Sequence, residues 1–180
     1  MKPICLHNCL VMSAMLLTTI VAFAQTPASA PVPAALLSAK AVFISNAGSD
    51  SGLFPEPFSG DANRPYSEFY SALKATGDYT LVADPAQADL VLELRLTAPY
   101  GPTNPNKQNG TSDPLPMFRL VVYDRPTHYI LWTATQSVEV AYLQKTHDRN
   151  FDLALSALLN QFLVAAGKPS ATPASAPANH

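Results

Sequence analysis

Few residues in this chain have the types and spacing that chemistry requires. Gly48-Ser-Asp-Ser-Gly52 lies within Ser45–Gly52, directly after an apolar run. Glycine and serine behind a strand can turn backbone N–H groups into an anion nest. A phosphate loop needs Gly-Lys-Ser/Thr entering a helix, and this stretch has no lysine. It also differs from a Gly-x-Ser-x-Gly nucleophile elbow, because Asp50 stands where the serine belongs. A turn is the simpler reading. His128 and His147 have no partner at HxH, HxxxH or HExxH spacing, so no metal ligand set and no cofactor is expected. Asp148 beside His147, taken with Asp50, leaves a small hydrolase as the alternative. Glu93 and Glu139 share a polar face with Arg95 and Arg119. Cross-strand ion pairing explains them more simply than acid–base work.

The formal charge is −2. There is no basic run, which argues against a nucleic-acid partner. Met1–Ala24 reads as a secretory signal peptide. Lys2 forms its n-region, Cys9–Val21 its apolar stretch, and Ala22-Phe-Ala24 a small-x-small cleavage motif before Gln25. The apolar stretch is short of the about 20 residues a bilayer span needs, so no membrane span is expected after cleavage. Both cysteines, Cys5 and Cys9, fall in this leader. The exported chain would be periplasmic or secreted, without a disulfide or a thiol nucleophile. Residues 25–38 and 169–180 are rich in Pro, Ala and Ser and share Thr-Pro-Ala-Ser-Ala-Pro. They are expected to form a disordered linker and a disordered tail around one domain, residues 39–168.

The elements that must position any site follow from periodicity. Ala39–Ser45 is an apolar run, read as strand 1. Pro65–Thr76 reads as helix 1: proline suits a first turn, Phe69, Ala72, Leu73 and Thr76 keep helical spacing, and Gly77 is an αL stop. Asp78–Ala83 is strand 2. In strand 3, Asp89–Ala98, four leucines from Leu90 to Leu96 alternate with Val91, Glu93, Arg95 and Thr97. Met117–Tyr123 and Tyr129–Ala141 form a hairpin as strands 4 and 5. Strand 5 points Ile130, Trp132, Ala134, Val138 and Val140 to one side, with Trp132 as core anchor. Asn150–Ala166 is helix 2, with an apolar stripe from Phe151 to Leu163. The segments Asn46–Arg64, Pro99–Pro116 and Tyr142–Arg149 read as irregular.

This order predicts an α+β fold, β-α-β-β-β-β-α. A five-stranded mixed sheet, ordered 2-1-3-4-5, carries both helices on one face. Strands 1, 3 and 5 then run the same way, and the three irregular segments leave from one edge. Ligands of open sheets bind outside the carboxyl ends of parallel strands, where neighbouring connections diverge. The expected site is Asn46, Ser49, Asp50, Tyr100 and His147, with Phe54 and Phe58 as apolar walls. His128, in the opposite turn, cannot share an ion with His147. Val121, Tyr123 and Tyr129 form a second candidate, an outward apolar strip suited to protein contact.

Asp124-x-x-Thr127-x-x-Ile130-Leu-Trp132, preceded by Leu120-Val-Val-Tyr123 and followed by Asn150–Phe162, resembles the end of exported bacterial domains of unknown function. The Ala88-Asp89-Leu-Val91 start of strand 3 resembles them too. The element order is also similar to α/β modules of envelope proteins such as the TolB N-terminal domain and the penicillin-binding-protein activators. The resemblance implies an envelope protein without known catalysis and carries no functional residues. The expected function is a non-enzymatic exported module of the bacterial cell envelope. It would bind a small ligand or another envelope protein. Besides the hydrolase, a structural envelope component is the other alternative.

Overall fold

A computed structural model describes residues 30–103 and 112–169. The expected signal peptide, residues 170–180 of the tail and the middle of the Pro99–Pro116 segment lie outside the described residues. The chain divides into two units, Met1–Pro31 and Val32–His180, and every element below belongs to the second.

The expected linker does not extend to residue 38. Ala34–Ser38 forms a short helix, α1, in which Leu36 is fully buried. One leucine in an Ala/Pro-rich context was enough to bring this turn into the core. Strand β1 runs from Ala41 to Ser49, four residues beyond the expected end. Its start is fixed by Asp89, whose carboxylate accepts the N–H groups of Lys40 and Ala41, both at 2.9 Å. Helix α2, Arg64–Thr76, has proline in its first turn and stops at Gly77. That glycine adopts φ 73° and donates its N–H to the Lys74 carbonyl, a conformation that costs glycine nothing because it lacks Cβ.

Strand β2 is short, Thr80–Leu81. A 3-10 turn, Pro85–Gln87, follows, with Asp84 accepting the Ala86 N–H at its start. Strand β3, Leu90–Thr97, buries its four leucines on one face. Strands β4 (Tyr100–Thr103) and β5 (Ser112–Pro114) pair in a separate small ladder, where an irregular loop was expected. Strands β6 (Met117–Asp124) and β7 (Ile130–Ser137) form the hairpin, and α3 spans Gln144–Ala165.

The main sheet is mixed and five-stranded, in the order β2-β1-β3-β6-β7. The strands expected as 4 and 5 are β6 and β7, and the departure from the expected sheet is the separate ladder of β4 and β5, which falls between β3 and β6 in sequence. Strand β1 is parallel to β2 and β3; β3–β6 and β6–β7 are antiparallel. Helix α2 packs on β1 and β3, helix α3 on β6 and β7, and the helices touch each other. Leu90 to Leu96, Phe118, Leu120, Val122, Phe69, Leu73 and the α3 stripe make one core. Each leucine removed from water in this way contributes about 1.5–3 kcal/mol. Among the described residues no helix is long and apolar enough to cross a membrane.

Three expectations about side-chain placement fail for local reasons. Trp132 is half-buried: it lies on β7, at the edge of the sheet, and packs on Phe162 with centroids 6.3 Å apart. Ile130 is 55 % exposed. The β6–β7 register slips between Val122 and Tyr123, so that Val122 faces Trp132 while Tyr123 faces Ile130. A bulge at Leu131 therefore turns Ile130 to the outer face. Val140 lies beyond the strand end and is exposed. Helix α3 begins six residues before the expected Asn150, so most of the Tyr142–Arg149 segment is helical.

Candidate functional site

Two antiparallel steps separate β3 from β7, so β1, β3 and β7 point the same way. The segments that leave their ends meet at one cleft of about 540 Å³. Asp50, Ser51, Gly52, Leu53 and Pro57 come from the first segment; Ala98, Tyr100, Pro114 and Pro116 from the second; Val140 from the third. The topology thus brings the three expected segments to one edge. Prolines, Leu53 and Val140 give the walls an apolar cast. Tyr100, 82 % exposed, stands at the mouth.

Asp50 is the charged residue of this cleft, and its bonds are spent on structure. Its N–H donates to the Leu96 carbonyl at 3.0 Å. One carboxylate oxygen accepts Arg95 at 3.0 Å and the other accepts the Ala98 N–H at 2.9 Å. The Ala98 N–H first, then Arg95, hold this carboxyl below its ordinary range. A carboxylate so stabilised is a weak base and a weak nucleophile. Its work is to tie the exit of β1 to the exit of β3.

His147 opens on a neighbouring recess of about 510 Å³, with Glu56, Pro57, Tyr142 and Gln144. It does not sit in a loop. It lies in the first turn of α3, 8 % exposed, with its ring edge-on to Phe58. Its Nδ1 accepts the Ala141 N–H at 3.3 Å. Pro57 lines both hollows. Asn46 and Ser49 bond instead toward the start of α2: Asn46 donates to Asn63, and Ser49 donates to the Ala62 carbonyl. Phe58 is not a wall but core, fully buried against Phe54 and Phe151. Phe54 is half-buried over the same cluster. Of the seven expected residues, Asp50 and Tyr100 share the cleft, and His147 is next door.

The second candidate strip also changes. Val121 is buried, a short side chain in the middle of the sheet between Glu93 and Thr133. Tyr123 is half-buried and Tyr129 is 74 % exposed, so the strip lacks Val121 and keeps its two tyrosines. The Asp124 turn builds itself. The Asp124 carboxylate accepts the N–H and hydroxyl of Thr127, and the Asp124 carbonyl accepts the His128 N–H. His128 takes a positive φ of 61°, in the left-handed region.

A cluster absent from the sequence reading lies beneath the His147 end of α3. Arg64 donates to Glu68 at 2.7 Å, Asp148 at 2.6 Å and Asp152 at 2.8 Å. Its guanidinium lies 4.2 Å over the Phe151 ring. Asp148 also accepts the Ser59 N–H. Burial raises the Asp148 pKa, but the Ser59 N–H and Arg64 outweigh it and the net shift is downward. Burial, aided by Asp152, pushes Glu68 up against the pull of Arg64. The only sequence signal was the i, i+4 spacing of Arg64 and Glu68. Asp148 is thereby committed to joining α3 to α2. Asp50, His147 and Asp148 each hold separate partners, and among the described residues no hydrogen bond joins any two of them. Among the described residues no group of three or more His, Cys, Asp or Glu is placed to hold a metal ion.

No family model matches this sequence, and no curated protein matches it. Among solved structures, the chain is similar to the PelC dodecamer from Paraburkholderia phytofirmans: 16% identity, 77% of this chain, 93% of that one, TM-score 0.43. It is similar to a DUF4136 family protein from Bacteroides thetaiotaomicron: 14% identity, 74% and 90% coverage, TM-score 0.45. It is also similar to the lipoprotein GNA1162 from Neisseria meningitidis: 17% identity, 69% and 99% coverage, TM-score 0.36. Likeness at this level transfers no side-chain role.

Proposed function

We propose that this chain is a non-enzymatic, exported binding or protein-interaction module of the bacterial cell envelope, and that the cleft at the carboxyl ends of β1 and β3 is its binding surface. One observation carries the reading: three segments far apart in sequence converge on a single apolar cleft at the edge where open sheets bind ligands. The leader-like Met1–Ala24 supports export. Leu53, Pro57, Pro114, Pro116 and Tyr100 suit an apolar or ring-bearing group. Asp50 serves as the strap that keeps the walls apart.

Site-specific photo-crosslinking in the periplasm tests this. A crosslinker placed at Tyr100 should give a discrete adduct that disappears when Val140→Asp is added. The same crosslinker at Lys74, exposed on α2, should give none. No adduct at position 100, or the same adduct at both positions, would remove the cleft as the binding surface.

A further inference from the structure

The two edges of the main sheet are protected very differently. The β2 edge is two residues long, too short to template another strand. The β7 edge is eight residues, Ile-Leu-Trp-Thr-Ala-Thr-Gln-Ser, and no strand among the described residues pairs with its outer side. It contains no charge and no proline. Its bulge lies at the amino end, leaving Trp132–Ser137 regular. Sheet proteins normally blunt an open edge with lysine, proline, a central bulge or a cover, because unpaired N–H and C=O groups recruit other strands. Here the six regular residues carry none of these devices.

The neighbouring helix adds a second signal. Helix α3 exposes Leu153 and Val164, 58 % and 65 %. Eleven residues are close to three whole turns, so these two lie on one stripe. Ala157, one turn on from Leu153, lies on it too. The stripe faces the β7 side: Gln161 donates to Gln136 at 2.8 Å, and a groove of about 300 Å³ runs between the carboxyl end of β7 and Leu153, Ala154 and Ala157. An open strand edge thus adjoins a helix stripe that carries Leu153, Ala157 and Val164, with Gln161 bonded across to the strand.

We propose that this combined surface pairs with a second copy of the same chain, β7 to β7, antiparallel about a two-fold axis at Ala134. The occupant follows from the edge itself. Unpaired backbone groups call for an extended backbone, and an uncharged edge raises no repulsion against its own copy. Cross-strand partners project to one face of a sheet. Thr133 and Thr135 are outward and exposed, whereas Trp132, Ala134 and Gln136 are half-buried. A two-fold axis at Ala134 sets Thr133 opposite Thr135 and Trp132 opposite Gln136, which respects this parity. It keeps the helices of both copies on one face, produces a continuous ten-stranded sheet, and brings the amino end of the partner's β7 alongside the groove at Leu153. The surface is separate from the cleft, so its test does not depend on the binding reading.

Sedimentation equilibrium of the purified protein is the experiment. The wild-type chain should be a dimer at roughly 100 µM, a concentration that captures micromolar association. Thr133→Lys with Thr135→Lys places lysine opposite lysine twice. It should weaken the dimer at least about tenfold, because like charges in register repel, while circular dichroism stays native. Thr133→Glu with Thr135→Glu should do the same. Mixing the two variants should restore a dimer, now mixed, since each lysine then faces a glutamate. A monomeric wild type, a dimer indifferent to the lysine pair, or a failure of the mixture to reassemble would each overturn the proposal.

Discussion

The two ends of the main sheet use the same side chain for opposite purposes. At the end where β3 begins and β6 finishes, the Asp89 carboxylate takes the N–H groups of Lys40 and Ala41, and the Asp124 carboxylate takes Thr127. The Arg125 N–H then donates to the Asp89 carbonyl and joins the two turns. Connections there are short and their donors are satisfied, so the end is closed. At the other end Asp50 also accepts a backbone N–H, but from a neighbouring strand's exit. It spans two long segments and holds them at a fixed separation, with a cleft between. Asp124 seals its own turn and Asp89 ties the starts of two strands together; Asp50, set between two long segments, fixes a mouth. Substitutions of Asp89 and Asp50 should therefore differ in whether they also loosen the cleft.

The largest effect is expected from the core that supports the open end. Phe151 packs edge-on to Phe118 at 4.9 Å, tilts against Phe58 at 5.4 Å, and lies under Arg64. Phe151→Ala should cost about 3–5 kcal/mol, as large aromatic deletions in cores do. Trp132→Ala, at the half-buried edge, should cost less, about 1–3 kcal/mol. Urea denaturation of both variants checks the order. A larger loss at Trp132 would put the centre of the core under β7 rather than at the open end.

Next comes Arg64. Arg64→Met leaves three carboxylates crowded without their cation, and should cost about 2 kcal/mol once the exposure of Glu68 and Asp152 is discounted. The pH dependence has two signs. Asp148 is held below its ordinary range, so its contribution is complete above the unfolded value of about 3.9 and fades as pH falls through the lower folded value. Glu68 is raised, chiefly by burial, so its ionisation costs stability as pH rises from its unfolded to its folded value. Asp148→Asn should remove the first part of the acid loss and leave the second slope. Melting curves from about pH 2 to 7 span both ranges and read both; an unchanged acid limb would show that Asp148 contributes nothing through Arg64.

A smaller loss separates the two ends directly. Asp89→Ala strips two backbone donors of their acceptor at the closed end and should cost about 1 kcal/mol. Its carboxyl is lowered by the Ala41 and Lys40 N–H groups, so this difference from wild type should vanish as pH falls through the folded value. Asp50→Ala should cost a similar amount and also loosen the cleft. Hydrogen exchange should speed at Ala98 and Asp50 in the Asp50 variant only. Equal speeding in both variants would mean the ends are not independent.

The sequence was legible where one pattern decided the structure. The leucine alternation of β3 gave the strand and its buried face. Phe69, Leu73 and Gly77 gave α2, and the mixed five-stranded sheet followed from the element order. It was illegible where geometry departs from pattern. The bulge at Leu131 has no signature in Tyr-Ile-Leu-Trp, so the alternation assigns Ile130 to the wrong face. Helix α3 opens with Gln-Lys-Thr-His-Asp-Arg behind Leu143, which provides no side-chain cap, so its first turns read as loop. Leu53 and Phe58 sit among glycines and prolines, yet both are core; three apolar residues, Leu53, Phe54 and Phe58, in a polar stretch were the available signal. The Arg64 cluster joins residues more than 80 positions apart, and no local spacing announces it. Asp50 and Tyr100 meet at one cleft because topology alone fixes which strand exits are neighbours.

The smallest stability effect is the most decisive for function. Tyr100 is 82 % exposed on the two-stranded ladder and contributes no packing to the main core. Tyr100→Ala should change stability by less than about 0.5 kcal/mol, as surface substitutions away from special features do. Yet its ring is the largest side chain at the mouth, and a partner seated there would lose that contact area, worth on the order of 2 kcal/mol or more at the centre of an interface. Asp50→Ala should weaken the same contact by a different route, through the loosened wall, and should show the exchange signature that Tyr100→Ala lacks. The pair of variants thus distinguishes touching from shaping. If Tyr100→Ala leaves crosslinking from a second cleft position such as Val140 intact while Asp50→Ala abolishes it, the partner reads the walls and not the ring. If both leave it intact, the open end of the sheet is a scaffold like the closed one, and the contrast between them is one of loop length alone.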